Sequence, residues 1–474
     1  MRAPNAFGAA AFERHAPPKA LESQCTQKPN HSFAASFPRL LRLGVGSFFL
    51  LWCVSGQADG NFLAGADFSF LPFFEAHGIA YRDAGEAMDG IQILKRQGIN
   101  CVRLRLFTSS AAQGAADPYD YTNNLAYNLP LALRVKNAGL RFLLDFHYSD
   151  TWADAGHQAT PNAWTNLDFT QLVQQMRTYN SNTIAAFAAE GAMPDYVQVG
   201  NEITSGMLWP SGQVTGSSNT SWSQLGQLMK SAVQGIQDAT TVAGTAMPKI
   251  IVHIDRGGDW ATTRWFFDNL NFQAVPYDII GQSYYPFFHG PLTNLNACLS
   301  NAAVRYRKPI VVAETAFPWT NTVSSWTNAL DGFLPTTAGQ IDFIASLAHI
   351  VERVPNRLCL GAFYWSSEYQ AVSGVNEAGF NTTSFFFTDG NVLPVAGAIG
   401  GMAAPLMLSG NLQSGAWELQ WPFSGAASTL MVSSNLSSPS SWQPVTNPVQ
   451  IQTTAAVFMV TLPTSSNPLF YRLQ

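Results

Sequence analysis

Two short apolar runs each end abruptly in a carboxylate: Tyr-Val-Gln-Val-Gly-Asn-Glu at residues 196–202 and Ile-Val-Val-Ala-Glu-Thr at residues 310–315. Both runs are rich in valine and isoleucine, which is typical of strands buried on both faces of a parallel sheet. Such a strand delivers its polar residue at its C-terminal end. We therefore expect Glu202 and Glu314 to lie at the C-terminal ends of two buried parallel strands.

The same strand pattern recurs along the chain, and each strand is followed by a stretch with helical periodicity. The predicted strands are 62–67, 101–107, 141–147, 196–201, 249–255, 279–285, 309–314 and 361–365. The predicted helices are 84–97, 129–137, 168–189, 223–238, 261–270, 294–306, 340–354 and 394–402. Eight strand–helix units predict an α/β protein with a (β/α)8 TIM barrel. An open doubly wound sheet is the rival, but it requires a glycine-rich phosphate turn after an early strand, and the sequence has none.

The composition changes near residue 403, where a serine-rich tail begins. Short β-type segments occur at 416–422, 428–433, 455–462 and 469–473. We predict that residues 59–402 form the barrel and that residues 403–474 form a small β-sandwich-like accessory domain. Trp417, Trp421 and Trp442 of the tail either bind polysaccharide or pack in a small core, and packing is the favoured alternative.

Residues 1–58 have the order of segments found in a secretory signal. Arg39 and Arg42 precede an apolar run at 43–54, and small residues follow it. The run is too short to span a bilayer as a stable helix, although a retained anchor is the alternative. We predict a secreted protein, extracellular or periplasmic, without stable membrane association after signal cleavage.

The composition excludes several classes of protein. A net charge of −5 provides no basic surface for nucleic acid. A chain that is 12% charged and 12% aromatic suits neutral, ring-shaped ligands. Outside the leader, Cys101, Cys298 and Cys359 do not form a disulfide framework or a zinc motif, and at most one bridge can form.

All eight predicted strands turn polar or aromatic at the same end. A polar group buried at random costs about 1–3 kcal/mol, so this pattern indicates a site rather than core filling. In β/α barrels, active sites lie at this end of the strands. The residues are Asp67, Arg103, Arg105, Asp145, His147, Asn201, Glu202, His253, Asp255, Tyr284, Tyr285, His289, Glu314 and Trp365, with Asp150 and Trp152 just beyond strand three.

Two facing carboxylates are what the cleavage of a glycosidic bond requires. Glu314 is the better nucleophile candidate, because it follows four apolar residues and because Arg103 or Arg105 can hold it ionised. Tyr284 or Tyr285 can hydrogen-bond it.

Glu202 is the better general acid/base, and Asn201 beside it can donate to a sugar hydroxyl. Trp152 and Trp365 are candidate stacking platforms for sugar rings. We expect the histidines of this region, His147 and His289, to be hydrogen-bond partners rather than metal ligands.

These motifs resemble those of glycoside hydrolase family 53, the endo-β-1,4-galactanases. The resemblance covers roughly residues 62–400. The matching segments are 65–67 (GAD), 102–105 (VRLR), 145–150 (DFHYSD) with 152–154 (WAD), 197–202 (VQVGNE), 283–287 (SYYPF) with 289–290 (HG), and 312–315 (VAET). The segments at strands three and six are the specific ones, because Asn-Glu alone is shared by a whole clan of retaining barrels.

The resemblance implies that Glu202 is the acid/base, that Glu314 is the nucleophile, and that the substrate is the β-1,4-galactan of type I arabinogalactan, a pectin side chain. It implies that the subsites nearest cleavage are lined by Asp67, Arg105, His147, Trp152, Asn201, Tyr285 and Trp365. No cofactor is required, and a monomer is expected. Bacterial relatives often place calcium near the loop 320–337, which here has one acidic residue, Asp331, so structural calcium is doubtful.

Two alternatives stay open at this point. One is another retaining barrel enzyme of the same clan, such as a mannanase, a cellulase or a β-galactosidase. The other is a non-catalytic polysaccharide-binding protein, which the presence of both glutamates disfavours.

Overall fold

The computed structural model describes residues 62–216, 218–321, 323–327, 330–435, 439–465 and 469–474. The predicted leader lies outside these residues. Within the described ranges, no helix has the length and apolar character needed to cross a membrane.

Eight parallel strands close into a barrel in the order in which they follow one another along the chain. They are β1 (Leu63–Asp67), β2 (Cys101–Leu106), β3 (Arg141–Phe146), β4 (Tyr196–Val199), β5 (Lys249–Ile254), β6 (Ile279–Ser283), β7 (Ile310–Thr315) and β8 (Cys359–Tyr364). Each strand pairs in parallel with the next, and β8 pairs with β1. The predicted (β/α)8 barrel is confirmed, and the open doubly wound sheet is excluded.

One main helix follows each strand and covers the outside of the barrel. These helices are α1 (Gly90–Arg96), α2 (Leu125–Asn137), α3 (Phe169–Ala189), α4 (Asn219–Ala243), α5 (Trp260–Phe272), α6 (Leu292–Tyr306), α7 (Thr337–Arg353) and α8 (Pro394–Gly401). Shorter helices lie in the loops after the strands, at Leu71–Ala76, Ala111–Ala116, Pro118–Tyr121, Pro286–His289 and Ser324–Thr327.

The first helix is shorter than the sequence predicts. The prediction of a helix over 84–97 is wrong in its first half, because Arg82–Asp83 and Glu86–Ala87 pair as a short hairpin. The helix begins only at Gly90, where the Asp89 carboxylate accepts the Gln92 N–H at 3.1 Å. An aspartate that caps the first turn in this way fixes the start of a helix.

The barrel interior is filled by an apolar layer towards the N-terminal ends of the strands. Seven strands contribute to it, through Leu63, Cys101, Leu143, Ile251, Ile279, Val311, Ala313 and Phe363. This layer closes that end of the barrel, so polar side chains inside the barrel occupy its C-terminal half. The three described cysteines, Cys101, Cys298 and Cys359, are buried and free.

Two antiparallel sheets follow the barrel. The strands are β9 (Ser409–Gln413), β10 (Ala416–Pro422), β11 (Leu430–Ser433), β12 (Gln443–Pro444), β13 (Gln450–Gln452), β14 (Val457–Pro463) and β15 (Phe470–Leu473). One sheet has the order β9-β10-β14-β13 and the other has the order β12-β11-β15. Side chains from both sheets share one core, which includes Trp417, Trp421, Val460 and Tyr471.

The tryptophans of the tail are packed rather than presented to solvent. Trp417 and Trp421 are 4% and 3% exposed, and Trp442 is 8% exposed beneath the Arg472 guanidinium. Stacking on a polysaccharide requires an accessible ring face, so these three side chains stabilise the tail itself.

Trp421 provides a test of this core. We expect Trp421→Ala to cost about 3–5 kcal/mol of stability, because a large buried side chain is removed and a cavity remains. Calorimetry of the intact chain should show a lower transition temperature for the C-terminal sheets. Leu412→Ala is the matched control, because Leu412 lies in the same sheet and is 52% exposed. An unchanged transition in Trp421→Ala would contradict the shared core.

Candidate active site

Arg103 of β2 is the centre of a polar network inside the barrel. The side chain is 1% exposed, and its guanidinium contacts Asp67 Oδ2 at 2.9 Å and Asp145 Oδ2, Asn201 Oδ1 and Glu314 Oε1 at 2.8 Å each. A buried carboxylate is stable only when it is paired, and here several share one cation. Burial raises the pKa of Asp145, but Arg103 and His147 outweigh it and lower that pKa below the usual value.

Glu314 reaches the barrel interior because β7 is irregular. In regular alternation Val311 and Ala313, which both face the interior layer, would be followed inwards by Thr315. The register of β7 shifts against both neighbouring strands, so that Glu314 pairs with Ser283 of β6. Irregularities of this kind re-aim side chains next to active sites.

The Glu314 carboxylate is held by two donors. Arg103 contacts Oε1, and the Tyr285 hydroxyl donates to Oε2 at 2.8 Å. Burial raises the pKa of Glu314 to about 7, while Arg103 and Tyr285 act in the opposite direction because they stabilise the ionised form. Of the two tyrosines predicted as partners, Tyr285 is therefore the one that contacts Glu314.

Glu202 lies just beyond β4 and has a different environment. Its backbone is left-handed, with φ of 48°, which turns the chain sharply after the strand. Its Oε1 accepts a hydrogen bond of 2.6 Å from the Ser283 hydroxyl, and no cation contacts it within the described ranges. Burial, and then the charge of Glu314, raises its pKa well above the usual value. Glu202 therefore keeps its proton to higher pH than Glu314.

The two glutamates open into one cleft of about 670 Å³ at the C-terminal end of the barrel. Of the site residues named from the sequence, those that line it with them are His147, Trp152, Asn201, Asp255, Tyr285, His289 and Trp365. Tyr119, Asp120, Asp154, Arg256, Phe288, Glu377 and Phe380 line it as well. Most of these were not predicted, because they belong to loops whose sequence gives no periodic signal.

Four predicted binding residues lie elsewhere. Asp67, Arg103 and Arg105 are 1% exposed and lie beneath the cleft, where they support the residues that line it. The Tyr284 side chain is fully buried and does not line the cleft. Its hydroxyl donates instead to the Gly290 carbonyl at 2.7 Å, because adjacent residues at a strand end point to opposite sides.

The two predicted histidines are fixed by hydrogen bonds. His147 Nδ1 accepts the Ala153 N–H at 2.9 Å, so its Nε2 donates to Asp145 at 3.1 Å. His289 Nδ1 accepts the Tyr285 N–H at 2.9 Å, and burial lowers its pKa to about 4. Both are placed to orient neighbouring groups as neutral rings.

The loop at 320–337, which the resemblance associates with calcium, has one carboxylate, and that carboxylate is engaged within the protein. Asp331 is the one acidic residue between positions 320 and 337. Its Oδ2 accepts the N–H of Leu292 at 2.7 Å and so caps the start of α6. Calcium takes six to eight oxygen ligands, usually several of them carboxylate oxygens, and among the described residues of this loop Asp331 supplies the one carboxylate.

Comparison with known proteins gives a consistent set of relatives. Residues 63–398 match the family model described as glycosyl hydrolase family 53. An uncharacterized protein of Niallia circulans is 38% identical over 344 residues, which is 69% of this chain and 90% of the relative. An arabinogalactan endo-β-1,4-galactanase of Humicola insolens is 34% identical over 310 residues, which is 64% of this chain and 88% of the relative.

Two solved structures are similar over most of the barrel. The GH53 catalytic domain of Ignisphaera aggregans is 30% identical with a TM-score of 0.66, and covers 73% of this chain and 97% of its own. A fungal β-1,4-galactanase is 32% identical with a TM-score of 0.63, and covers 71% of this chain and 98% of its own.

The Tyr285 hydroxyl provides a test of the Glu314 environment. It stabilises the ionised carboxylate, so Tyr285→Phe should raise the pKa of Glu314 and shift its titration to higher pH. Carbon-13 NMR of protein labelled at the glutamate carboxyls measures this, with Glu314→Gln used to assign the signal. Tyr284→Phe is the matched control, because its hydroxyl donates elsewhere. A Glu314 titration that is the same in wild type and Tyr285→Phe would refute the contact.

Proposed function

The chain belongs to glycosyl hydrolase family 53, and we propose that it is a retaining endo-β-1,4-galactanase. Its substrate in this proposal is the β-1,4-galactan of type I arabinogalactan, the side chain of pectin. The names of the relatives support the linkage and the sugar. We also propose that the enzyme acts after secretion and removal of residues 1–58, and that residues 403–474 are an accessory domain.

The spacing of the two carboxylates carries the proposal of retention. One carboxylate oxygen of Glu202 and one of Glu314 lie within 4.8 Å of each other. Retaining glycosidases hold their two carboxyl groups about 5–5.5 Å apart, whereas inverting enzymes need about 6.5–9.5 Å to admit a water. The short spacing supports direct attack by a carboxylate on the sugar.

The different environments of the two glutamates support a role for each. Glu314, beside Arg103 and Tyr285, is the group that ionises first and attacks the anomeric carbon. Glu202 is still protonated at that pH and gives its proton to the glycosidic oxygen as the C–O bond breaks. The products of this step are a galactosyl ester on Glu314, a free sugar hydroxyl and an ionised Glu202.

The second step reverses the role of Glu202. Once Glu314 is esterified, its negative charge no longer raises the pKa of Glu202, so that pKa falls. The Glu202 carboxylate then accepts a proton from a water, which attacks the same carbon from the side that the leaving sugar occupied. The carboxylate of Glu314 is released, and no cofactor enters either step.

The aromatic walls of the cleft support a pyranose substrate. Trp152 and Trp365 are partly exposed there and meet edge to face, with ring centroids 6.3 Å apart. The Arg105 guanidinium lies 4.3 Å from the Trp152 ring, and Asp120 accepts the indole N–H. Rings held this rigidly present flat apolar faces to sugars at little entropic cost. Asn201 gives one amide hydrogen to the Ala153 carbonyl and has a second for a sugar hydroxyl.

Product analysis tests the substrate. Incubation with linear β-1,4-galactan should release short galacto-oligosaccharides, while mannan and carboxymethylcellulose stay intact. Proton NMR of the first products should show the β-anomer before mutarotation. Release of galactose alone would mean an exo enzyme, release from mannan or cellulose would mean a sibling enzyme of the clan, and an initial α-anomer would refute retention. No release from any of the three would favour the polysaccharide-binding alternative.

Variants of the two glutamates separate their roles. Glu314→Ala should lose at least about a thousandfold in kcat/KM on every substrate, because no nucleophile remains. Glu202→Ala should lose about 100- to 10,000-fold on galactan. On a 2,4-dinitrophenyl β-galactobioside, whose leaving group needs no proton, its kcat/KM should stay near wild type, and azide should restore kcat. Equal losses of both variants on both substrates would refute the assignment.

A further inference from the structure

We propose that Ser283 and His253 are positioning residues that keep the acid proton of Glu202 on the oxygen facing the substrate. Resting on the proposed function, this inference adds a hydrogen-bond chain behind the acid/base. These hydrogen bonds run from His253 on β5 through Ser283 on β6 to Glu202. The direction in which they are donated decides which oxygen of the Glu202 carboxyl is free to carry a proton. We call the side chains of His253, Ser283 and Glu202 the acid-positioning chain.

The first link lies between Ser283 and Glu202. The Ser283 hydroxyl is fully buried and lies 2.6 Å from Glu202 Oε1 and 2.8 Å from His253 Nε2. A hydroxyl has one hydrogen, so when Ser283 donates to Glu202 it accepts from His253. In this arrangement Oε1 is an acceptor and the proton of the neutral carboxyl occupies Oε2, which no described residue contacts by a hydrogen bond.

The second link fixes the histidine. If Nε2 carries the hydrogen, Nδ1 must accept, and the Gln198 amide nitrogen lies 3.0 Å from it. Gln198 also donates to Asp145, whose other oxygen is paired with Arg103. The Glu202 backbone N–H lies 3.4 Å from the same nitrogen. In this arrangement the His253 ring accepts a hydrogen bond from Gln198 at Nδ1 and donates one to Ser283 from Nε2.

The opposite direction of the chain would be unproductive. His253 would then donate from Nδ1 to Asn201 Oδ1 at 3.0 Å, an oxygen that also accepts from Arg103. Ser283 would donate to Nε2, and a protonated Glu202 would satisfy the chain by placing its hydrogen on Oε1. That hydrogen points back into the barrel, away from the glycosidic oxygen.

The charges around the chain favour a neutral histidine. Burial, and then Arg103, lowers the pKa of His253 well below the usual value, although Asp145 acts in the opposite direction. Glu202 faces the carboxylates of Glu314, Asp255 and Asp154. The chain therefore sets the direction of hydrogen bonds and transfers no charge to Glu202.

Two members of this chain, Glu202 and His253, also lie near Glu314 in a set of side chains that could hold a metal ion. Single ligand atoms of Glu202, His253 and Glu314 lie within 4.8 Å of one another. However, both nitrogens of His253 are in hydrogen bonds, with Ser283 and with Gln198. Glu314 is likewise engaged by Arg103 and Tyr285. The geometry points to control of a proton.

The dependence of kcat/KM on the leaving group of the substrate distinguishes a positioning role of Ser283 from a purely structural one. In Ser283→Ala, Oε1 loses its donor and the proton can occupy either oxygen. We expect kcat/KM on β-1,4-galactan to fall about 10- to 100-fold, because its departing sugar needs protonation. On the 2,4-dinitrophenyl β-galactobioside, kcat/KM should stay within about threefold of wild type. Loss of a donor to the ionised form also raises the pKa of Glu202, so the alkaline limb of the pH profile should move to higher pH.

Four further variants complete the experiment. Ser283→Thr keeps the hydroxyl and should restore most of the galactan rate. His253→Gln keeps an N–H near the position of Nε2, whereas His253→Asn does not, so the former should be the more active on galactan. Ser384→Ala is the control for a lost buried hydroxyl, because the Ser384 hydroxyl donates to the Ser367 carbonyl and accepts the Phe386 N–H, both away from Glu202. Melting temperatures check that each variant is folded.

Each result decides the proposal. If kcat/KM of Ser283→Ala falls only on galactan, and the alkaline limb of its pH profile moves to higher pH, the proposal is supported. If kcat/KM of Ser283→Ala falls equally on galactan and on the aryl galactobioside, and its pH profile stays in place, the proposal is overturned. Wild-type protein that cleaves neither galactan nor the aryl galactobioside would refute the proposed function first, and the acid-positioning chain with it.

Discussion

The ion pairs of Arg103 are the constraint on which the rest of this site depends. Asp67, Asp145 and Glu314 are carboxylates that enter the same barrel interior, and without a shared cation their burial would be strongly unfavourable. The position of the guanidinium then determines other groups in turn. Asp145 orients His147 on one side and Gln198 on the other, and Gln198 orients His253. One buried charge thus organises both the floor of the cleft and the groups behind Glu202.

The same constraint makes the two glutamates chemically different. Glu314 contacts the cation and a tyrosine hydroxyl, whereas Glu202 has a serine hydroxyl and a negatively charged neighbour. Two identical side chains a short distance apart therefore take up protons at different pH. The difference in their roles arises from the neighbouring strands, since nothing in the two side chains themselves distinguishes them.

Much of this arrangement could be predicted from the sequence, and the exceptions have physical reasons. The strands were predictable because parallel strands buried on both faces are continuous apolar runs. The presence of Glu314 in the site was predictable from its position at a strand end, but the register shift in β7 that turns it inwards was not, because the alternation of residues does not encode that shift. The choice of Tyr285 over Tyr284 depends on which side of a strand end each residue faces. Ser283 lay within a recognised motif, but a serine carries no charge or ring that would single it out.

The three described cysteines have a consequence for where the protein can fold. All are buried as free thiols, and burial raises the pKa of Cys298 to about 11 and of Cys359 to about 12. The thiolate is the reactive form, so at neutral pH these sulfurs exchange with disulfides very slowly. The barrel is thus held together without any bond among them that an oxidising compartment must form or a reducing one can break. Its stability should be the same across redox environments that would decide the fate of a disulfide-linked enzyme.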